Sequence, residues 1–196
     1  MRRTFVVGFA ILFLMAGFSV RAAQVGEVLS FNIEATYDIS GRTYLEATLI
    51  KADQKLYFYV DKNWWNSQNI PKQAEILDKL NLLSQEFDAQ IYPTLTSVFG
   101  SEWNPGIDGD AKITVLLHPM KEGAGGYFRT ADEYIKPQIP ESNEKEMVYL
   151  AAAVLDTSIA KTYLAHEFLH LINFNQKDRL NNVPEETWLN EGRAEY

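Results

Sequence analysis

The 196-residue chain contains no cysteine, and this absence excludes several kinds of protein at once. Without thiols there is no disulfide framework, no thiolate zinc site and no cysteine nucleophile. A lipid-accepting cysteine after an export signal is excluded for the same reason. Stability must therefore come from a packed core, with bound ions as the remaining aid. The 46% hydrophobic and 13% aromatic content is typical of a globular chain that can form such a core.

Basic residues are also scarce. The chain has 18 Lys and Arg against 26 Asp and Glu, which gives a formal net charge of −8. A nucleic-acid-binding surface needs a basic stripe to neutralise phosphates, so this composition argues against nucleic acid as a partner. Three arginines and no acids lie within residues 1–22, so losing that segment would leave 15 basic residues and a charge of −11.

Those first 22 residues predict export. Arg2 and Arg3 precede an apolar run over residues 5–18, which is long enough for the core of a signal peptide and short for a membrane-spanning helix. Val20-Arg21-Ala22 offers small residues at the two recognition positions. We therefore predict a signal peptide over residues 1–22 and a secreted or periplasmic protein with no stable membrane insertion after cleavage. An uncleaved anchor is the alternative.

Apolar periodicity outlines the next part of the chain. Period-two alternation predicts a hairpin of strands over 44–50 and 55–60, within a β-rich segment spanning residues 23–65. Further apolar runs predict strands over 113–117 and 147–150. Between the hairpin and the first of these strands, apolar residues recur every three or four positions and predict one buried helix face: Ile76, Leu80, Leu83, Phe87 and Ile91.

Two of the three histidines lie one helical turn apart, in His166-Glu167-Phe168-Leu169-His170. Residues at i and i+4 share a helix face, so both imidazoles can reach one ion. A catalytic zinc site adds a third protein ligand and keeps one position for water, whose proton a neighbouring carboxylate such as Glu167 can take. We expect the helix to begin near Asp156 or Thr157, both suitable caps. A chance match on an amphipathic helix is the alternative.

The third ligand has a candidate downstream. Pro184 and the acids that follow it predict a second helix, in which Glu191 lies about two turns from the start. Glu195 is one turn further along the same face, where it could accept a hydrogen bond from the far nitrogen of a ligand histidine. The alternative for both is an ordinary exposed helical glutamate.

Other candidate features are weaker. His118 ends an apolar strand, and we expect it to be hydrogen-bonded locally and not to bind a metal. The glycine-rich residues 123–126 lack the Lys-Ser/Thr of a phosphate loop, so we predict a flexible turn near the cleft wall. Asp108 and Asp110 could contact calcium, although no complete calcium loop surrounds them.

Residues 165–175 and 188–196 together resemble the Glu-zincin metallopeptidases, which are thermolysin-like in the logic of their site. The resemblance is closer to the hyicolysin-type secreted neutral metallopeptidases, and it is strongest over residues 163–196. A metzincin would instead need a glycine and a third histidine where Asn173 and Gln176 stand. Looser similarity extends back through Phe87, Gly100 and residues 125–128.

The resemblance implies a zinc endopeptidase that acts on protein or peptide substrates. Its zinc ligands would be His166, His170 and Glu191, with Glu167 as general base. Glu195 would be the acidic partner of the first histidine, a position that commonly holds Asp in the thermolysin-like pattern. Nothing in the sequence indicates an oligomeric state. A non-catalytic secreted binding module on the same scaffold, an inactive fragment of a larger metallopeptidase and a membrane-tethered structural domain are the alternatives.

The implied fold is α+β and zincin-like: a mixed β-sheet and an active-site helix in a catalytic domain over residues 66–196, preceded by the small β-rich segment. Because the ligand motif runs to the last residue, we expect the C-terminal helical half of such a domain to be absent. Part of the apolar face of the metal helices should then be poorly covered. At least one of Ile172, Phe174 and Trp188 is therefore expected to be exposed.

Overall fold

A six-stranded mixed sheet organises residues 23–183, the part of the chain that the computed structural model describes. The strand order is β1-β2-β3-β4-β6-β5. Strands β1 to β3 are antiparallel, β3, β4 and β6 are parallel, and β5 lies antiparallel to β6. The strands are β1 (Val28–Asn32), β2 (Tyr44–Ala52), β3 (Leu56–Asp61), β4 (Ile113–His118), β5 (Gly126–Phe128) and β6 (Met147–Ala151). This α+β arrangement is compatible with a zincin-like fold.

The central strands are buried on both faces. Every residue of β3, β4 and β6 is buried, as expected for parallel strands covered on either side. The predicted hairpin is confirmed as β2 and β3, and the other two predicted strands are confirmed as β4 and β6. Strands from before and after residue 65 pair in one sheet, and the domain division at that residue stays a prediction.

Within residues 23–183, four α-helices accompany the sheet: α1 (Lys62–Ser67), α2 (Ile70–Glu86), α3 (Tyr92–Phe99) and α4 (Ala160–Asn173). The Asn69 side chain caps α2 by accepting a hydrogen bond from the Lys72 N–H at 2.9 Å. A π-helical turn over Phe87–Ile91 joins α2 to α3, and the helical run ends at Gly100, whose φ of +87° favours glycine. The predicted apolar face is confirmed, because all five of its residues are buried.

Helix α4 is anchored by aromatic packing. The Phe168 ring lies 5.0 Å from that of Phe87 and 5.5 Å from that of Tyr92, measured between centroids. Ile172 and Phe174 are both buried, so the exposed side chain that we predicted is neither of these two. Trp188 lies outside the described residues, and the prediction about the three side chains together therefore stays a prediction.

The start of α4 differs from the prediction. Residues Ala152–Asp156 form a 3₁₀ turn, and the α-helix begins only at Ala160. The Thr157 hydroxyl donates to the Val154 carbonyl oxygen at 2.7 Å, while the Asp156 carboxylate pairs with Lys72 at 2.9 Å and with Lys79. Neither side chain caps the helix, because each has another partner.

No helix within residues 23–183 has the length and apolar character needed to cross a membrane. The predicted signal peptide over residues 1–22 lies outside the described residues and stays a prediction.

A buried ionic network joins the loop before β2 to the end of β3. The Arg42 guanidinium contacts the Asp38 and Asp61 carboxylates at 2.7 Å each, and both carboxylates are almost fully buried. Burial raises the pKa of Asp38, but the Arg42 side chain and the N–H groups of Arg42 and Ser40 outweigh it and lower that pKa to about 2. Asp61 also caps α1 through the N–H groups of the first turn. One cation thus neutralises two buried acids.

Replacing Arg42→Ala should lower the free energy of unfolding by about 3–5 kcal/mol, because it leaves two buried carboxylates without a counter-charge. Lys62→Ala is the matched control, since Lys62 pairs with Glu46 on the surface and such pairs contribute about 1 kcal/mol or less. Urea unfolding followed by circular dichroism measures both. Equal losses in the two variants would contradict the assigned role of Arg42.

Candidate metal centre

His166 and His170 face each other on α4. Their Nε2 atoms are 3.1 Å apart, and the two rings are nearly perpendicular at 83°. Two nitrogens that each bind zinc at about 2.05 Å with a tetrahedral angle would be about 3.3 Å apart. The observed separation is therefore close to the one that a shared zinc ion requires, so these residues fit the metal that the sequence motif implies.

The Glu167 carboxylate lies beside the histidine pair and is buried. Ligand atoms from His166, Glu167 and His170 all lie within 4.8 Å of one another, and no other group of three within residues 23–183 meets that limit. Glu167 is 4% exposed and His170 is 6% exposed, whereas His166 is half-buried. The group therefore combines a sheltered carboxylate with one imidazole that solvent can reach.

Strand β5 approaches Glu167 closely. A Cβ on Gly126 would lie 3.0 Å from both Cγ and Oε1 of Glu167, and 2.7 Å from the carbonyl oxygen of Tyr149. Any side chain at this position would push either the carboxylate or the pairing of β5 with β6 out of place. Sequence reasoning missed this contact. The only signal was the glycine pair within residues 123–126.

A cavity of about 560 Å³ opens beside the site. It is lined by Tyr37, Thr162, Tyr163, His166, Glu167 and residues 123–126. The glycine-rich turn does line this cleft, where the Tyr163 ring occupies the space of a Gly125 side chain and a Cβ there would be 2.0 Å from it. The cleft is within the size range of ligand-binding sites.

Three stacked tyrosines support the wall of the cleft. The Tyr127 ring on β5 lies 4.7 Å from that of Tyr37 and 4.2 Å from that of Tyr149, both nearly parallel. The Tyr149 hydroxyl donates to Asp132 Oδ2 at 2.5 Å. The stack fixes the short strand β5 between a surface loop and the sheet.

His118 belongs to this support and not to the metal group. It is fully buried, with Nδ1 3.3 Å from Asp38 Oδ2 and Nε2 3.4 Å from the Tyr127 hydroxyl oxygen. Burial lowers the pKa of His118, against the raising effect of the Asp38 carboxylate. Asp38 and Tyr127 are distant in sequence, but the backbone of the neighbouring Pro119 also raises the pKa of His118, which agrees with the predicted local contact.

The other candidate residues fall into two groups. Glu191 and Glu195 lie outside the described residues, so their positions stay predictions. Asp108 and Asp110, the candidate calcium residues, both have protein partners: Asp108 pairs with Lys145 at 2.9 Å, and Asp110 accepts a hydrogen bond from the Tyr57 hydroxyl at 3.0 Å.

The chain leaves α4 through a π-helical turn over Phe174–Arg179. The side-chain amides of Asn175 and Gln176 both donate to the Ser101 carbonyl oxygen at 2.8 Å. The Arg179 guanidinium lies over the Trp103 ring, 3.9 Å from its centroid. These contacts hold the C-terminal end of α4 against the loop that follows α3.

Comparison with known proteins gives one informative similarity. No family model matches the chain. The neutral metalloprotease ShpI of Staphylococcus hyicus is 30% identical over 110 residues, which are 48% of this chain and 24% of that protein. The chain thus spans about a quarter of the length of the curated relative it matches. The similarity supports a metalloprotease family, and the His–Glu–His group suggests a metal.

Replacing His170→Ala should weaken zinc binding by more than about 100-fold, because loss of an orienting partner alone typically costs 10–100-fold and loss of a ligand costs more. His118→Asn is the matched control, since this histidine contacts Asp38 and Tyr127. Competition with a chromophoric chelator measures zinc affinity. A loss in the His118 variant as large as in the His170 variant would contradict the assignment of the metal group.

Proposed function

We propose that the chain is an exported zinc-dependent endopeptidase that hydrolyses peptide bonds by activating water. One observation carries the proposal: two imidazole nitrogens 3.1 Å apart beside the buried Glu167 carboxylate, at the edge of an open cleft. The similarity to a neutral metalloprotease supports it. We propose a protein or peptide as the substrate because the similar protein is a protease.

His166 and His170 would hold the zinc ion, with Glu191 as the third ligand. When bound, zinc supplies Lewis acidity that acidifies water and polarises a carbonyl group. Glu195 is proposed as the carboxylate that orients the His166 ring by accepting a hydrogen bond from its far nitrogen. Nucleic acid is not proposed as a partner, given the excess of acidic residues.

Glu167 is proposed as the general base. Its carboxylate takes a proton from the attacking water and then passes it to the leaving amine. The position suits this role, because the carboxylate lies within 4.8 Å of the histidine ligand atoms and also lines the cleft. Gly126 leaves the carboxylate room to stay there. Exclusion of water around a buried carboxylate also strengthens its electrostatic interaction with the reacting groups.

Export is proposed from the first 22 residues. Cleavage after Ala22 would release a secreted or periplasmic chain with a formal charge of −11. Cleavage does not disturb the described fold, because β1 begins at Val28.

The central test is Glu167→Gln. Zinc should still bind, since both histidines remain, while peptide hydrolysis should fall by about 10²–10⁴-fold because the proton acceptor is lost. Hydrolysis of a quenched fluorescent peptide library and zinc content by atomic absorption are measured on the same samples. Glu86→Gln, on an exposed helix end, is the control. Undiminished hydrolysis in the Glu167 variant would contradict the base assignment, and zinc binding by the unaltered chain without hydrolysis would favour a binding module.

A second test concerns the wall of the cleft. Gly126→Ala should reduce peptide hydrolysis at least tenfold while zinc binding is retained, because the new methyl group would displace the Glu167 carboxylate. Gly26→Ala is the control: its φ of +94° makes the change costly for the backbone, but no atom lies within 4 Å of the added Cβ and the residue does not line the cleft. Its hydrolysis rate should be unchanged. Equal rates for the two variants would show that Gly126 does not position Glu167.

A further inference from the structure

Five carboxylate oxygens are buried without a hydrogen-bond donor from the described residues, at the opposite end of β6 from the start of α4. They are Oε2 of Glu102, both oxygens of Glu133 and both oxygens of Glu146. These side chains are 2%, 3% and 3% exposed, respectively. They come from three separate segments: the loop after α3, the end of the short 3₁₀ turn Thr130–Glu133, and the residue before β6.

The nearby positive charges are already paired with other acids. Lys145 pairs with Asp108 at 2.9 Å, and Arg129 pairs with Asp132 at 2.9 Å. The remaining donors among residues 23–183 are neutral and reach only one oxygen: the Tyr92 hydroxyl and the Asn104 amide donate to Glu102 Oε1, at 3.0 and 3.3 Å. Burying a carboxylate without a counter-charge costs several kcal/mol, so this arrangement needs a further positive species.

Glu133 and Glu146 face each other. Burial, together with the neighbouring Glu146 carboxyl, raises the pKa of Glu133 well above its ordinary value. Burial also raises the pKa of Glu146 to about 7. The Glu133 carboxyl and the Ile107 N–H act in the opposite direction and lower this pKa, although the Ile107 N–H is outside hydrogen-bond geometry. Both carboxyls also feel the negative charge of Asp108. The pair must therefore hold either a proton or a cation.

A single proton is not enough. It would bridge one oxygen of each carboxyl group and leave three of the five buried oxygens without a partner. A calcium ion takes six to eight oxygen ligands at about 2.3–2.6 Å and could serve all of them. The group offers only oxygen, which suits a hard cation and not zinc. Magnesium usually keeps several of its waters, which a closed pocket of protein oxygens does not favour.

We propose that Glu102, Glu133 and Glu146 form a buried binding site for a divalent calcium ion. Glu133 and Glu146 already face each other, Glu102 acts electrostatically on Glu146, and calcium would draw Glu102 toward the facing pair. The loop over residues 104–110 closes the pocket tightly: a Cβ on Gly106 would be 2.5 Å from Cγ of Glu146. This site is separate from the histidine pair and does not depend on the proposed peptidase activity.

A calcium ion at this site would stabilise the two loops that contact the C-terminal end of α4. Ser101, next to Glu102, accepts the two amide hydrogen bonds from the end of the helix. Tyr134, next to Glu133, packs its ring 5.8 Å from that of Phe174. One calcium ion would thus connect two loops that both contact the C-terminal end of α4.

The test titrates calcium into the full chain after divalent ions are removed and one equivalent of zinc is restored. Calcium should raise the thermal unfolding midpoint and bind with measurable heat. Glu133→Gln and Glu146→Gln should each weaken calcium binding at least tenfold, whereas the exposed Glu141→Gln should not change it. Terbium, which replaces calcium, should show luminescence sensitised by Tyr92, because the hydroxyl of that residue contacts Glu102.

The pH dependence separates a cation from a proton. Without calcium, the protonated pair stabilises the fold at low pH, and this stability is lost as pH rises through about 7, the pKa of Glu146. Calcium competes with the proton, so its effect on the unfolding midpoint should be larger at pH 8 than at pH 6. A midpoint that falls over this range whether or not calcium is present would overturn the proposal in favour of a shared proton.

Two further outcomes decide the matter. Calcium binding that is absent from the unaltered chain, or that is equally strong in the Glu133 and Glu146 variants, would overturn the proposal. If both of those variants fail to fold, Glu102→Gln keeps the facing pair intact and still removes one ligand. A tenfold weaker calcium affinity in that variant would support the site, and an unchanged affinity would overturn the three-carboxylate arrangement.

Discussion

The close approach of strand β5 to helix α4 is the constraint on which the candidate site depends. Gly126 has no side chain, so the strand backbone comes within contact distance of Glu167 while still pairing with β6. The tyrosine stack holds β5 in place from behind, and the Phe87 and Phe168 rings hold α4 against α2. The cleft exists because two rigid elements meet at a glycine.

The buried acids discussed above fall into three groups according to the partners of their carboxylates. Asp38 and Asp61 share the Arg42 guanidinium. Asp132 has a tyrosine hydroxyl, a guanidinium and an N–H group, and burial still raises its pKa to about 6. Neither oxygen of the Glu133 or Glu146 carboxylate has a donor within the described region, and we propose that a cation supplies the missing positive charge. The excess of acidic residues in the sequence is consistent with cation binding by Glu133 and Glu146.

Local sequence pattern was sufficient to predict the β2–β3 hairpin, strands β4 and β6, the buried face of α2 and the histidine pair. The apolar positions of α2 and the strand β4 follow from periodicity, and the i, i+4 spacing brings His166 and His170 face to face. Features that depend on distant partners were not predictable. Asp156 does not cap α4 because Lys72 and Lys79, more than 70 residues earlier, take its carboxylate. The contacts of His118 with Asp38 and of Gly126 with Glu167 likewise require the folded sheet, since sequence spacing says nothing about them.

The parallel pairing of β3 with β4 has a consequence for folding kinetics. The two strands are neighbours in the sheet but are separated by 51 residues that contain α1, α2 and α3. Closing so long a loop costs entropy before any contact compensates for it, and such pairings form slowly. The hairpin of β2 and β3 and the long helical run can form from local contacts alone. We therefore expect the central pairing, and with it the cleft beside α4, to assemble last.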